Sequence, residues 1–253
     1  MSGKVFVVGL GPGAPEMQTP QASRALDLAD DLVGYGPYVA RVPARPDQRR
    51  HASDNREEIS RARHALELAA AGRTVAVVSS GDAGVFAMAS AVFEAIETGE
   101  TSWRSLDVEI VPGVSAMFAV AARVGAPLGN DFCAISLSDN LKPWDLVLSR
   151  LTAAASARFV IALYNVQSRA RPWQLGAALS TLRQVLPADT PVVFARAVSR
   201  EDEEIVIVDL AQADRQPADM RTLVMVGTES TRRIDRGDGR AWLYTPRSIE
   251  KRS

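Results

Sequence analysis

The chain has 253 residues, 47% of them apolar and 23% charged, with a formal net charge of −1. That length suits one large α/β domain or two smaller ones, and the near-neutral charge excludes a general attraction to nucleic acid or to an anionic membrane. A single cysteine, Cys133, forbids an internal disulfide framework, and no apolar window reaches membrane-spanning length, so a cytoplasmic protein is expected.

In chain order, KVFVVGL is an apolar strand that breaks into Gly9-Leu10-Gly11-Pro12-Gly13. A dinucleotide fingerprint would lead straight into a helix whose free N–H groups hold the pyrophosphate. Here the first credible helix start is Thr19 as cap with Pro20 after it, and Asp30 and Asp31 precede the next strand, DLVGY, instead of closing it. Gly-Pro-Gly therefore reads as a rigid turn that lets a ligand or another backbone come close, with a nicotinamide-dependent oxidoreductase as the distant alternative.

Helices are expected over Pro20 to Asp30, Asp54 to Ala71, Gly84 to Thr98, Val114 to Val124, Trp144 to Ala154 and Pro172 to Leu186. In the second, Asp54 and Glu57 suggest a capping box, Ile59, Ala62, Leu66 and Ala69 form an apolar stripe, and Arg56, Glu58, Arg61 and His64 fall on other faces. The later strand runs TVAVVSS, DVEIVPG, FCAISLS, ARFVIALY, PVVFARAV, EIVIVDL and TLVMVGT are mostly continuous rather than alternating, which implies mostly parallel sheets covered by helices. Cys133 sits in one of them as a small buried hydrophobe. Helix thins out after about Val198, suggesting two α/β units, and GAPLGNDF marks the boundary, giving domains 1–128 and 129–253. The arginine-rich stretch from Thr231 to Ser253 reads as a tail or as a flap over a site.

In open α/β sheets ligands bind outside the carboxyl ends of strands. Besides the first loop, Ser80-Gly81-Asp82-Ala83-Gly84, Pro112-Gly113-Val114-Ser115-Ala116 and Tyr164-Asn165 with Arg169 and Arg171 occupy such ends. Small, backbone-rich loops suit an adenosyl ligand such as S-adenosylmethionine, whose sulfonium prefers carbonyl oxygens, whereas arginines suit the carboxylates of a second substrate. Asp82 could equally cap the following helix. Trp144 and Trp173, each after a proline, could stack on a flat ligand or simply pack. His51 and His64 are read as unpaired and not spaced as metal ligands, so no metal is expected.

Taken together and in this order, Gly9 to Gly13, Ser80-Gly81-Asp82 with Gly84, Pro112 to Ala116 and Leu163-Tyr164-Asn165 resemble the tetrapyrrole methylases of corrin and sirohaem synthesis, from about Lys4 to Thr228. Gly34 to Val39, Ser53 to Arg56, Ser136 to Asp139 before Lys142-Pro143-Trp144, and Ser168 to Arg171 resemble the branch of that family that methylates precorrin-3B at C-17 and contracts the ring in aerobic cobalamin synthesis. The resemblance implies a homodimer of two-domain α/β chains with S-adenosylmethionine in the cleft between domains and a tetrapyrrole as substrate. Carried over, the cofactor contacts are Pro12, Ser80, Gly81, Asp82, Ser115, Ala116, Asn165 and Ala195. The family's Gly-Asp-Pro reads Gly81-Asp82-Ala83, and Asn165 stands where a methionine is common. Asp82, Asp139 and Asp54 are the carboxylates that motif position favours for acid–base work, and Arg56, Arg169, Arg171, Arg196 and Arg247 are the arginines in or near the loops. The alternatives are the cobalt-containing substrate of the anaerobic route, a sister methylase acting at another carbon, and a non-catalytic tetrapyrrole carrier.

Overall fold

The computed structural model describes residues 3–54, 57–168 and 170–248; Arg56 and Arg169 lie outside them. By internal contacts the chain divides into Met1–Ala116 and Met117–Ser253. This division falls ahead of the expected break at 128/129, because the Gly125–Phe132 stretch belongs to the second unit, where it contributes a short strand.

The first unit runs β1 (Lys4–Gly9), α1 (Pro20–Leu28), β2 (Asp31–Tyr35), α2 (Gly36–Val39), β3 (Arg49–Ser53), α3 (Glu58–Ala70), β4 (Thr74–Ser79), α4 (Met88–Thr98) and β5 (Asp107–Val111). Its sheet has the order β3-β2-β4-β1-β5 and every neighbour is parallel. Alternate residues feed opposite cores: Val5, Val7, Val75 and Val77 pack with Ala62, Leu66 and Val92, while Phe6, Val8, Ala76 and Val78 pack with Ala22, Ala25 and Leu26. Both faces of the sheet are thus covered, which is why the sequence runs are continuous.

The second unit follows with α5 (Ala116–Val124), β6 (Gly125–Ala126), β7 (Phe132–Ser136), α6 (Trp144–Ser156), β8 (Val160–Tyr164), α7 (Gln174–Leu182), β9 (Pro191–Arg196), β10 (Glu204–Asp209), β11 (Thr222–Val226), β12 (Arg232–Asp235) and β13 (Ala241–Tyr244). Its main sheet, β10-β9-β11-β8-β7, is mixed: β7 and β8 are parallel, and β9, β10 and β11 pair antiparallel. The expectation of a mostly parallel sheet fails here because the link between β9 and β10 is too short for a helical crossover. The described part of the C-terminal stretch, residues 231–248, is not a loose tail: β12 and β13 form a hairpin that extends onto β6, and Thr245 Oγ1 donates to Pro127 O at 2.6 Å.

Helix α3 corrects the periodicity reading at several points. It begins at Glu58, after Glu57 in the cap position, and Glu57 Oε2 accepts from Asp54 N at 3.3 Å, which is half of the expected capping box. Ile59 is 37% exposed, whereas Arg61, expected on an outer face, is only 6% exposed. The histidines are also paired, not separate. His64 Nε2 lies 3.1 Å from His51 Nδ1, because β3 lays His51 against the face of α3. Among the described residues no cluster of three or more His, Cys, Asp and Glu is placed to hold a metal.

His51 Nε2 lies 2.9 Å from Asp31 Oδ1, and Arg73 Nε donates to Asp31 Oδ2 at 2.6 Å, with Asp31 fully buried. Burial pushes the Asp31 carboxyl up, but the hydrogen bonds from Arg73 and His51 outweigh it, and the net effect is a pKa below the ordinary carboxylate value. A carboxyl depressed in the fold contributes stability that is complete above its unfolded pKa of about 3.9 and is lost as pH falls through its lower folded value. Asp31→Asn is therefore expected to destabilise the chain by roughly 1–3 kcal/mol at neutral pH, less than a fully buried pair because Arg73 is partly exposed. The cost should shrink as pH drops below about 4, which chemical denaturation at pH 7 and pH 3 measures.

Candidate active site

Strand β1 lies between β4 and β5, so the loops that leave their carboxyl ends are neighbours. The first two are tied backbone to backbone: Gly11 N donates to Gly81 O at 3.1 Å, Gly81 N donates to Gly11 O at 2.9 Å, and Leu10 N donates to Ser79 O at 2.9 Å. Gly11 and Gly81 adopt φ of 71° and 69°, in the left-handed region that glycine enters without strain. The third loop is tied through Asp82, whose Oδ2 accepts from Gly113 N at 3.0 Å while Oδ1 accepts from Gly84 N at 2.8 Å. Both oxygens are thus committed to backbone donors, and Asp82 joins the loops where the sequence left a cap or a catalytic role open. The following helix is capped from elsewhere: Ser79 Oγ accepts from Met88 N at 3.2 Å, which moves the start of α4 beyond the expected Gly84.

Sequence reasoning missed Arg41. From just beyond α2 its guanidinium donates to Leu10 O at 3.2 Å, to Gly11 O at 3.0 Å and to Ser80 Oγ at 3.0 Å, clamping the first two loops from the side. Its one signal in the sequence is position, a cation one short turn past the end of β2. Thr19, the cap of α1, also reaches the third loop by donating to Pro112 O at 3.3 Å.

An adenosyl donor needs backbone groups within reach and no side chain in the way. A Cβ built on Gly81 would meet nothing nearer than Ala116 N and Ser115 Cα at 3.8 Å and Val114 O at 3.9 Å. The backbone of the second loop therefore lies about one methyl group from that of the third, uncrowded by side chains, and the predicted residues Ser80, Gly81, Ser115 and Ala116 line this approach with small side chains and backbone groups that fit the donor. Pro12 is buried beside them in the first loop. No helix N-terminus stands at the glycines, since only a three-residue turn, Pro15–Met17, precedes Thr19 and α1. The pyrophosphate cradle that the nicotinamide alternative requires is missing.

In the second unit the structure gathers a different set. Asp139 Oδ1 lies 4.0 Å from Arg171 Nη1, and Gln174 Nε2 donates to the Asp139 carboxylate at 3.3 Å. Gln174 is a further residue that the sequence did not single out. Among the described residues, Arg171 Nη1 and Gln174 Oε1 are buried atoms without a hydrogen-bond partner. Trp144 and Trp173 pack edge to face on each other, with centroids 4.9 Å apart. Asn165 holds φ of 53°, and its Nδ2 donates to Ser136 Oγ at 2.9 Å. Ala195 is buried in the middle strands of the sheet, and Arg196 is engaged by Asp219 and Asp202. Asp54 and Arg247 are exposed. Cys133, expected as a buried hydrophobe, is only partly buried; it packs against the core of the second unit, and burial raises its thiol above the ordinary pKa.

The family model of the Tetrapyrrole (Corrin/Porphyrin) Methylases matches residues 4–214. A precorrin-3B C(17)-methyltransferase from Sinorhizobium sp is 56% identical over 98% of this chain and 97% of its own. A probable cobalt-factor III C(17)-methyltransferase from Salmonella typhimurium is 42% identical over 89% of this chain and 92% of its own. The crystal structure of the methyltransferase CobJ superposes with a TM-score of 0.92 at 50% identity, covering 97% of this chain and all of that one. With the loop geometry and these matches, the chain belongs to the tetrapyrrole methylase family.

Proposed function

We propose that the protein transfers a methyl group from S-adenosylmethionine to C-17 of precorrin-3B, with contraction of the macrocycle and extrusion of the C-20 carbon as an acetyl group. The observation that carries this reading is the trio of interlocked loops at the ends of β1, β4 and β5, in a chain more alike to the precorrin-3B enzyme than to its cobalt-factor III counterpart. Bound there, the donor supplies an electrophilic methyl on a sulfonium.

The chain's own contribution is chiefly positioning, because attack by an electron-rich ring carbon needs in-line alignment more than a protein nucleophile. Pro12, Ser80, Gly81, Asp82, Ser115 and Ala116 hold the donor, with Asp82 acting through the backbone that it fixes. Ring contraction starts from a tertiary hydroxyl, whose proton a carboxylate can take. Of the three carboxylates that motif position favours, Asp139 is the best supported, since Asp82 is occupied by two N–H groups and Asp54 is exposed. The unsatisfied Nη1 of Arg171 supports a role in holding a substrate carboxylate. The homodimer rests on the resemblance, and the cytoplasmic location on the single cysteine and the lack of a membrane-length apolar window in the sequence. Among the described residues no helix is long and apolar enough to cross a membrane.

The test is incubation with precorrin-3B and donor labelled in its methyl carbon, followed by mass spectrometry and carbon NMR of the product. Label at C-17 of a ring-contracted product is expected. Label at another carbon would reassign the reaction within the family, and binding without any mass gain would leave a tetrapyrrole carrier. Faster turnover of the cobalt-containing substrate would move the protein to the anaerobic route.

A further inference from the structure

Arg61 is a buried charge with no carboxylate bonded to it among the described residues. It sits on α3 with 6% of its surface exposed. Nε donates to Ser53 Oγ at 2.7 Å and Nη2 donates to Asp54 O at 2.6 Å, both neutral acceptors. Among the described residues Nη1 meets only the thioether of Met88, 3.4 Å away. Glu58 and Glu57 act on it at longer range, and both are exposed. Burial pulls the guanidinium below its ordinary pKa.

Taking a guanidinium out of water without a counter-ion is costly, so a buried arginine normally has a carboxylate against it. The cost here is not met inside the described fold, and the place where it falls is informative. Ser53 ends β3 and Met88 begins α4, so Nη1, held only by the weak thioether acceptor, lies at the same carboxyl edge of the sheet as the glycine loops. Tyr35 and Tyr38, packed edge to face with centroids 5.3 Å apart, are close enough to influence Arg61 and bring phenol hydroxyls to the same edge. Met88 is unbranched and soft, the kind of side chain that an arriving ligand displaces with little strain.

We propose that Arg61 is a carboxylate-recognition residue, its Nη1 exchanging the Met88 sulfur for a carboxylate oxygen of the tetrapyrrole substrate. This rests on the methylase reading for the source of the carboxylate, while the need for an anion comes from the burial of Arg61 alone. A free small carboxylate has the same chemistry, and the test separates the two.

The measurement is binding of uroporphyrin, a tetrapyrrole carrying carboxylates on every ring, by fluorescence quenching. S-adenosylhomocysteine binding is measured in parallel by calorimetry, on wild type, Arg61→Met and Arg61→Lys. Arg61→Met is expected to weaken uroporphyrin roughly tenfold, the scale of one charge-assisted pair, while S-adenosylhomocysteine stays within about twofold. Arg61→Lys should recover part of the loss, because it keeps the charge without the fork. Uroporphyrin binding unchanged in Arg61→Met would reduce Arg61 to a brace between β3 and α4 and overturn the proposal. Acetate that displaces uroporphyrin from wild type with an affinity as high as that of uroporphyrin itself, read from the same quenching signal, would overturn the tetrapyrrole as source. Should Arg61→Met fail to fold, the arginine side-chain nitrogen resonances of wild type decide: a shift of the Arg61 signal on adding uroporphyrin supports the proposal, and none overturns it. Failure of wild type to bind S-adenosylhomocysteine would sink the methylase reading and leave the uroporphyrin comparison standing.

Discussion

Gly113→Ala is expected to abolish measurable binding of S-adenosylhomocysteine, a loss of at least about 100-fold, and to lower the melting temperature by roughly 6–10 °C. The reason is steric and specific to that position. A Cβ on Gly113 would lie 2.2 Å from Gly81 O and 2.7 Å from Gly9 O, whereas a carbon and a carbonyl oxygen normally approach no nearer than about 3.3 Å. Neither obstacle is a side chain that can swing away. Gly9 ends β1 in register with Ser79 of β4, and Gly81 is held to Gly11 by reciprocal hydrogen bonds. The loops would have to part by roughly an ångström, which breaks the donor from Gly113 N to Asp82 as well. Gly36→Ala is the control, since a Cβ there meets nothing within 4 Å, and it should change neither quantity measurably. Calorimetric titration and thermal melting of the two variants side by side make the comparison. Normal S-adenosylhomocysteine binding by Gly113→Ala would show that the third loop takes no part in the donor site.

This steric logic also explains what could be read in advance. Gly9, Gly11 and Gly113 were legible because backbone that approaches so closely tolerates no other residue, Gly81 because its φ of 69° favours glycine, and the strands because both faces of the first sheet are covered. Strand β3 was not, since Arg49–Ser53 is a polar edge strand with no apolar run to announce it. Arg61 shows the opposite failure: periodicity sends a charged residue on α3 outward, and only the tertiary packing of Ser53 and Met88 around it puts it inside. Arg41 and Gln174 escaped for a related reason. Each acts on groups far along the chain, Leu10 and Ser80 for the one and Asp139 for the other, and no local pattern encodes such a pairing. The start of α4 was misplaced because Phe86 takes φ of 53°, a detour that a helical apolar pattern does not reveal.

Asp82→Asn separates anchoring from chemistry, and the expected result is anchoring. The carboxylate receives Gly84 N on one oxygen and Gly113 N on the other. An asparagine can accept only one of these and turns its amide donors toward the other, leaving an N–H without a partner at a cost of about 1–3 kcal/mol. Coupled to the loops, that cost should appear as a roughly 5- to 150-fold loss of S-adenosylhomocysteine affinity, with turnover at saturating donor within a few-fold of wild type. Asp82→Ala, which removes both acceptors, should lose more affinity than Asp82→Asn and lower the melting temperature further. A general base would behave in the reverse way: asparagine would bind the donor normally, and turnover would fall by about 10²–10⁴ at every donor concentration. Full titrations of donor against initial rate for both variants distinguish the outcomes. If turnover collapses while affinity holds, Asp82 handles the proton and Asp139 loses that assignment; if affinity falls first, the carboxylate is the knot that keeps the second and third loops in one place.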